Sequence, residues 1–189
     1  MRKIGIFGGT FDPSHIGHLM IAEEVRYNLN LEQIWFIPTN IPPHKQKASS
    51  SSKHRLAMLE TAIKSNKNFS INQIEIEKNN VSYTIDTITT LQQSNQDTTF
   101  YFIIGADMVE YLPHWREIDT LVQMVTFVGV NRTNFTLRTT YPIIELDTPT
   151  INISSSEIRE RIKRNEPVMY FLPDGVLTYI REHRLYDWK

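Results

Sequence analysis

The chain predicts an α/β fold, a doubly wound and mostly parallel sheet with crossover helices, on three observations. Short runs of β-branched and aromatic residues alternate with segments of helical period, the pattern of parallel strands joined by helices. The first apolar run, Ile4 to Phe7, leads straight into Gly8-Gly9 and then into a segment of helical spacing. A second glycine turn, Gly105-Ala106-Asp107, follows the apolar run Phe100 to Ile104, at the strand end where open α/β sheets place their ligands. Together these describe a Rossmann-like architecture.

In chain order, strands are expected at Lys3–Phe7, Gln33–Ile37, Ser70–Ile76, Thr99–Ile104 and Met124–Val130, with a weaker one at Ile143–Leu146. The helix after the first strand gathers Leu19, Ala22, Val25 and Leu29 on one face and leaves Glu23, Arg26 and Asn30 elsewhere. Lys53 to Ser65 repeats the pattern with Leu56, Leu59 and Ile63, and Ile85, Ile88 and Leu91 give a third helical face. Their expected role is core packing. A last helix, Pro173 to Arg181, carries Val176, Leu177 and Ile180, with Pro173 suited to a first turn. The loop from Pro38 is long for a compact domain and holds Pro42-Pro43-His44-Lys45 and then a serine run, Ala48 to Ser52. Two prolines stiffen the chain before Lys45, which suits presentation of a cation to an anion as well as it suits a solvated surface lysine. No repeat or linker divides the sequence, so a single domain over 1–189 is expected.

Bulk composition narrows the partners. A formal net charge of -1 gives no broad attraction to nucleic acid or to a membrane surface, so phosphate binding must come from local clusters. The absence of cysteine removes disulfides, thiol nucleophiles and cysteine-based zinc sites together, and suits a cytoplasmic enzyme. Met1-Arg2-Lys3 has the charge of a signal peptide, but Gly8 and Asp12 interrupt the apolar stretch too early for one, and no run approaches the ~20 residues that span a bilayer.

The most informative stretch is Gly8 to His18, Gly-Gly-Thr-Phe-Asp-Pro-Ser-His-Ile-Gly-His. Glycines let backbone approach a ligand, and residues at i and i+3 share a helix face, so both imidazoles can point at the place where helix N-terminal N–H groups converge. A zinc pair would more commonly be spaced i, i+4, and no third ligand is near in sequence. Asp107, beyond its strand, suits ribose hydroxyls, or else caps the short helix after it. Ser154, Ser155 and Ser156 precede a helix, with Ser154 and Glu157 in capping-box spacing; the same hydroxyls and Arg159 also suit a phosphate.

His15-Ile16-Gly17-His18 matches the His-x-Gly-His signature of the nucleotidyltransferase superfamily, which the N-terminal region resembles. With the Pro-Pro-His-Lys loop, Ser82-Tyr83-Thr84 with Asp86, Gly105-Ala106-Asp107, Leu112-Pro113-His114-Trp115, Val130-Asn131-Arg132 and Ile153 to Arg159, most of the chain resembles bacterial nicotinate-nucleotide adenylyltransferases. Ser14 stands where many members of that family have a second proline. The resemblance implies transfer of AMP from ATP to nicotinate mononucleotide, giving deamido-NAD and pyrophosphate, with Mg²⁺ held mainly through the ATP phosphates. It implies phosphate contacts by Gly8, Gly9, Thr10 and Phe11, catalytic donors in His15, His18, Lys45 and Arg159, and a C-terminal helical part, about 151–189, that completes the ATP site. Ser154 and Ser155 would hold phosphates, Gly105 and Asp107 the ribose region, and Arg132 with the backbone near Ile151 the adenine. Ser82, Tyr83, Thr84, Asp86, Trp115 and Lys45 would receive the nicotinate nucleotide. The expected partners are these two small molecules, with no nucleic acid and no membrane, and a homodimer left open. Another acceptor, such as phosphopantetheine, and a nucleotide-binding module without catalysis are the rival readings.

Overall fold

The computed structural model describes residues 1–40, 48–78, 81–131, 138–149 and 151–188. Six strands, β1 (Arg2–Gly9), β2 (Gln33–Pro38), β3 (Phe69–Ile71), β4 (Thr98–Gly105), β5 (Thr126–Val130) and β6 (Ile143–Leu146), form one sheet in the order β3-β2-β1-β4-β5-β6. Every pairing is parallel. The strand order reverses direction between β1 and β4, and the crevice beyond their carboxyl ends is the natural ligand position of such a sheet.

The helices are α1 (Ile16–Asn28), α2 (Ser52–Ile63), α3 (Ile74–Glu77), α4 (Thr84–Ser94), α5 (Ala106–Tyr111), α6 (Ile118–Met124), α7 (Ser155–Lys163) and α8 (Asp174–Glu182). Alternate strand residues feed two cores, as the period-2 pleat requires. Ile4, Ile6, Phe100, Phe102 and Ile104 face α4, α5 and α6, where Ile85, Ile88, Leu91, Val109 and Leu121 close one layer. Phe7, Ile103 and Val128 face the other side, where Ala22, Val25, Met58, Leu59, Ile158, Val176, Leu177 and Ile180 close the second. No described helix is long and apolar enough to cross a membrane.

The expected strand Ser70–Ile76 is wrong beyond Ile71. Asn72 gives its N–H to Phe36 and accepts from the Ile74 N–H at 3.1 Å through its side chain, a local turn that ends the strand and starts α3. The expected strand Met124–Val130 begins later, because α6 runs through Met124 and the Val125 N–H still bonds to Leu121. Serine chemistry also shifts α2 one residue earlier, with the Ser51 side chain accepting from His54. Pro173 precedes α8 rather than occupying its first turn.

Candidate active site

The glycine turn at the end of β1 opens on a cavity of about 610 Å³ that lies over the β1/β4 switch point. Gly9 is required by close packing: a Cβ there would meet the Phe11 ring at 2.9 Å. Phe11 itself adopts φ 51, a left-handed conformation unusual for a non-glycine residue, and buries its ring against Phe7, Phe36 and His18. The chain then turns into α1 with His15 as the N-terminal cap residue.

The two imidazoles stack, with centroids 3.7 Å apart and planes inclined by 23°. Gly17 permits this, since a Cβ at that position would meet His15 Nδ1 at 3.1 Å. The His15 N–H donates to His18 Nδ1 at 3.2 Å, which fixes the orientation of the second ring. The i, i+3 spacing therefore does what geometry predicts, and both rings line the cavity at a helix N-terminus.

Gly8, Thr10, Phe11, Gly105, Asp107, Ser154, Ser155 and Arg159 line the same cavity, as do Ser82, Tyr83, Thr84 and Trp115. Asp107 is not a helix cap: Gly105 holds that position and Asp107 lies in the first turn of α5. Ser154 caps α7, accepting from the Glu157 N–H at 3.1 Å, while Glu157 turns its carboxylate to Arg161. Ser155 donates to the Pro13 carbonyl at 2.9 Å and Arg159 to the Asp12 carbonyl at 2.7 Å, so α7 is already docked on the glycine turn.

The acceptor side is built on α4. Asp86 and Thr87 both donate to the Tyr83 carbonyl, which leaves the first-turn N–H groups of Thr84 and Ile85 without acceptors inside the helix. Those two N–H groups are the ones the first turn of α4 leaves to face an anion. Trp115 packs its edge on Phe102 and Phe127 and borders the cavity. Asp86 does not line the main cavity; it borders a smaller hollow of about 250 Å³ and approaches Arg116 at 3.6 Å. Ile151 is 40% exposed and also lies off the cavity lining. Lys45 and Arg132 fall outside the described residues.

Four polar residues escaped the sequence reading. Asp12, 3% exposed, accepts from the Ser49 N–H at 2.6 Å, the Ser50 hydroxyl and the Tyr186 hydroxyl at 2.6 Å. Arg55, 1% exposed, donates through one nitrogen to the Thr10 and Thr39 carbonyls, both at 2.8 Å, tying the ends of β1 and β2 together. Burial pushes its guanidinium below the usual arginine range, and the nearby Asp12 charge opposes that. Glu75, on α3, borders the cavity and accepts from Thr87 at 2.9 Å; burial raises its carboxyl above the usual range, against hydroxyls and Lys78 that favour the charge. A signal for Arg55 existed, because it stands on the same helix face as Met58, Leu59 and Ala62, all buried. Nothing in the sequence links Tyr186 to Asp12.

A cytidylyltransferase-like family model matches residues 6–161. A probable nicotinate-nucleotide adenylyltransferase of Oceanobacillus iheyensis is 53% identical over 188 residues, covering 100% of this chain and 98% of that protein. The nicotinate-nucleotide adenylyltransferase of Bacillus subtilis is 48% identical over 188 residues, covering 99% of this chain and 100% of that one. Among solved structures, Plasmodium falciparum nicotinic acid mononucleotide adenylyltransferase complexed with NaAD superimposes with a TM-score of 0.84 at 24% identity, covering 100% of this chain and 99% of that one. That last likeness speaks for the fold.

Proposed function

The chain belongs to the nicotinate-nucleotide adenylyltransferases, within the cytidylyltransferase-like family, and from that premise we propose how its own residues carry out the transfer. The reaction moves AMP from ATP to nicotinate mononucleotide and releases pyrophosphate. The acceptor phosphate oxygen attacks the α-phosphorus while the bond to the bridging oxygen of pyrophosphate breaks. That oxygen is anionic at neutral pH, so no side-chain nucleophile is required. The protein's tasks are alignment of two anions and stabilisation of charge on the α-phosphate and the leaving group.

The observation that carries this reading is the stacked His15–His18 pair at the start of α1, facing the cavity at the switch point. His15 and His18 donate to the triphosphate, with Gly8, Gly9, Thr10 and Phe11 shaping its bed. Ser154, Ser155 and Arg159 form the bed of the outer phosphates on α7, with Ser155 and Arg159 kept in place by the Pro13 and Asp12 carbonyls. Gly105 and Asp107 receive the ribose at the head of α5, and Lys45 and Arg132 add charge and an adenine contact. On the other side, the first turn of α4 meets the nicotinate carboxylate and Trp115 meets the pyridine face.

Mg²⁺ enters this proposal with ATP, on phosphate oxygens and water. The Asp12 carboxylate beside the phosphate bed is already engaged by Ser49, Ser50 and Tyr186. The cysteine-free sequence supports a cytoplasmic setting. A homodimer stays compatible with it. The test is pyrophosphate release from ATP across a panel of nicotinate mononucleotide, nicotinamide mononucleotide and phosphopantetheine. Release should be fastest with the first; preference for phosphopantetheine would overturn the assignment.

A further inference from the structure

Tyr186 lies 174 residues from Asp12 in sequence, yet its hydroxyl donates to the Asp12 carboxylate at 2.6 Å, and it is 9% exposed. Its backbone is unusual. Arg184, Tyr186 and Asp187 have φ of 48, 59 and 61, three non-glycine residues in the left-handed region within one short turn. Such conformations cost free energy and persist where surrounding structure fixes them. Here the turn brings a phenol under the glycine loop, with the hydroxyl also 3.8 Å from Met58 Sδ. Burial and the Asp12 charge both hold the phenol protonated, so its proton is available to the Asp12 carboxylate.

Asp12 is the centre of the loop that this hydroxyl reaches. Its side chain also takes the Ser49 N–H and the Ser50 hydroxyl, and its own carbonyl takes Arg159. One residue further, the Pro13 carbonyl takes Ser155. The side chains that grip phosphate from α7 are therefore set against a loop whose position depends on what Asp12 holds. We propose that Tyr186 is a positioning residue for adenylyl transfer, which anchors Asp12 and so registers the loop from Thr10 to His15 with Ser155 and Arg159 on α7. Tyr186 touches neither reactant; it acts through Asp12 on the ATP half of the cavity.

This inference rests on the ATP site described above, and its test is read separately from the choice of acceptor. Tyr186→Phe keeps the ring and removes the donor. ATP binding to the full chain, measured by calorimetry without acceptor, should weaken about tenfold, the scale of one charge-assisted hydrogen bond partly transmitted through the loop. In turnover assays the KM for ATP should rise while that for the acceptor stays within about twofold, a split that general loosening would not produce. Unchanged ATP affinity in folded Tyr186→Phe overturns the proposal, and so does an equal loss for both substrates. If the phenylalanine variant does not fold, Ser50→Ala removes another hydroxyl from the same carboxylate and is read in the same two assays. A wild-type protein that binds ATP but ignores nicotinate mononucleotide would refute the acceptor assignment alone and leave the calorimetric test of Tyr186 intact. Failure of the wild type to bind ATP would overturn both.

Discussion

Replacing Arg55 by Met tests whether the glycine loop is held from below. The guanidinium is 1% exposed and donates to two carbonyls, Thr10 and Thr39, at 2.8 Å each. Hydrogen bonds to a charged group contribute ~1.5–3 kcal/mol apiece, so the gross loss is about 3–6 kcal/mol. Some of this is offset, because methionine of similar length needs no desolvation of a cation in that place. The two half-buried carbonyls lose their donor, and the Asp12 carboxylate loses a nearby positive charge. A net destabilisation of about 2–4 kcal/mol follows, equivalent to a fall in Tm of roughly 5–15 °C for a chain of this size. Scanning calorimetry reads the fall directly. Turnover measured well below the new Tm should also drop, since Thr10 and Thr39 both border the cavity proposed for ATP. A Tm within about 2 °C of wild type, with unchanged kcat/KM, would refute the reasoning.

His18→Ala removes one preorganised donor and should lower kcat by ~10²–10³ with little change in Tm; near-normal turnover in the folded variant would remove the histidine from the mechanism. Trp115→Ala should raise the acceptor KM and leave ATP affinity alone, while costing about 1 kcal/mol of stability from the lost edge contacts with Phe102 and Phe127. The wild-type enzyme should prefer nicotinate mononucleotide over the amide by about a hundredfold in kcat/KM, because an amide turns N–H groups toward the donors of the α4 first turn; equal use would contradict that geometry. Glu75 has a raised folded-state pKa, so the native protein binds more protons than the unfolded chain above the ordinary glutamate value, and stability contributed by the neutral acid is lost as pH rises through the folded pKa. Glu75→Gln should accordingly gain Tm relative to wild type as pH climbs from about 4.5 to 7, and a difference independent of pH would show that the carboxyl does not titrate in this window.

The parallel sheet was legible because strands buried on both faces must be nearly continuous apolar runs, and Ile4–Phe7 and Phe100–Ile104 have that character. The histidine pair was legible for a similar reason, since an i, i+3 spacing after a glycine turn has one geometric meaning on a helix. Ser70–Ile76 misled because Ile71, Ile74 and Ile76 satisfy strand and helix patterns alike over so short a run, and an Asn72 side chain decided between them. Asp86, which the resemblance groups with Ser82, Tyr83 and Thr84, shares a smaller hollow with Ser82 and Tyr83 and approaches Arg116, a relation that helix spacing alone does not settle. Arg55 and Tyr186 act through tertiary contacts with residues 45 and 174 positions away, a relation that local pattern does not encode.

The docking of α7 and Tyr186 onto the glycine turn makes the shape of that turn depend on distant parts of the chain. The loop from Gly8 to His18 leads out of β1, which lies inside the sheet between β2 and β4. Even a completed sheet leaves the Asp12 and Pro13 carbonyls without Arg159 and Ser155, and the Asp12 carboxylate without Tyr186. The histidines and glycines of the signature therefore depend on contacts made 142 to 174 residues away in sequence. The order of the glycine loop is thus a property of the whole fold, held by contacts far away in sequence, and the signature residues do not secure it by themselves.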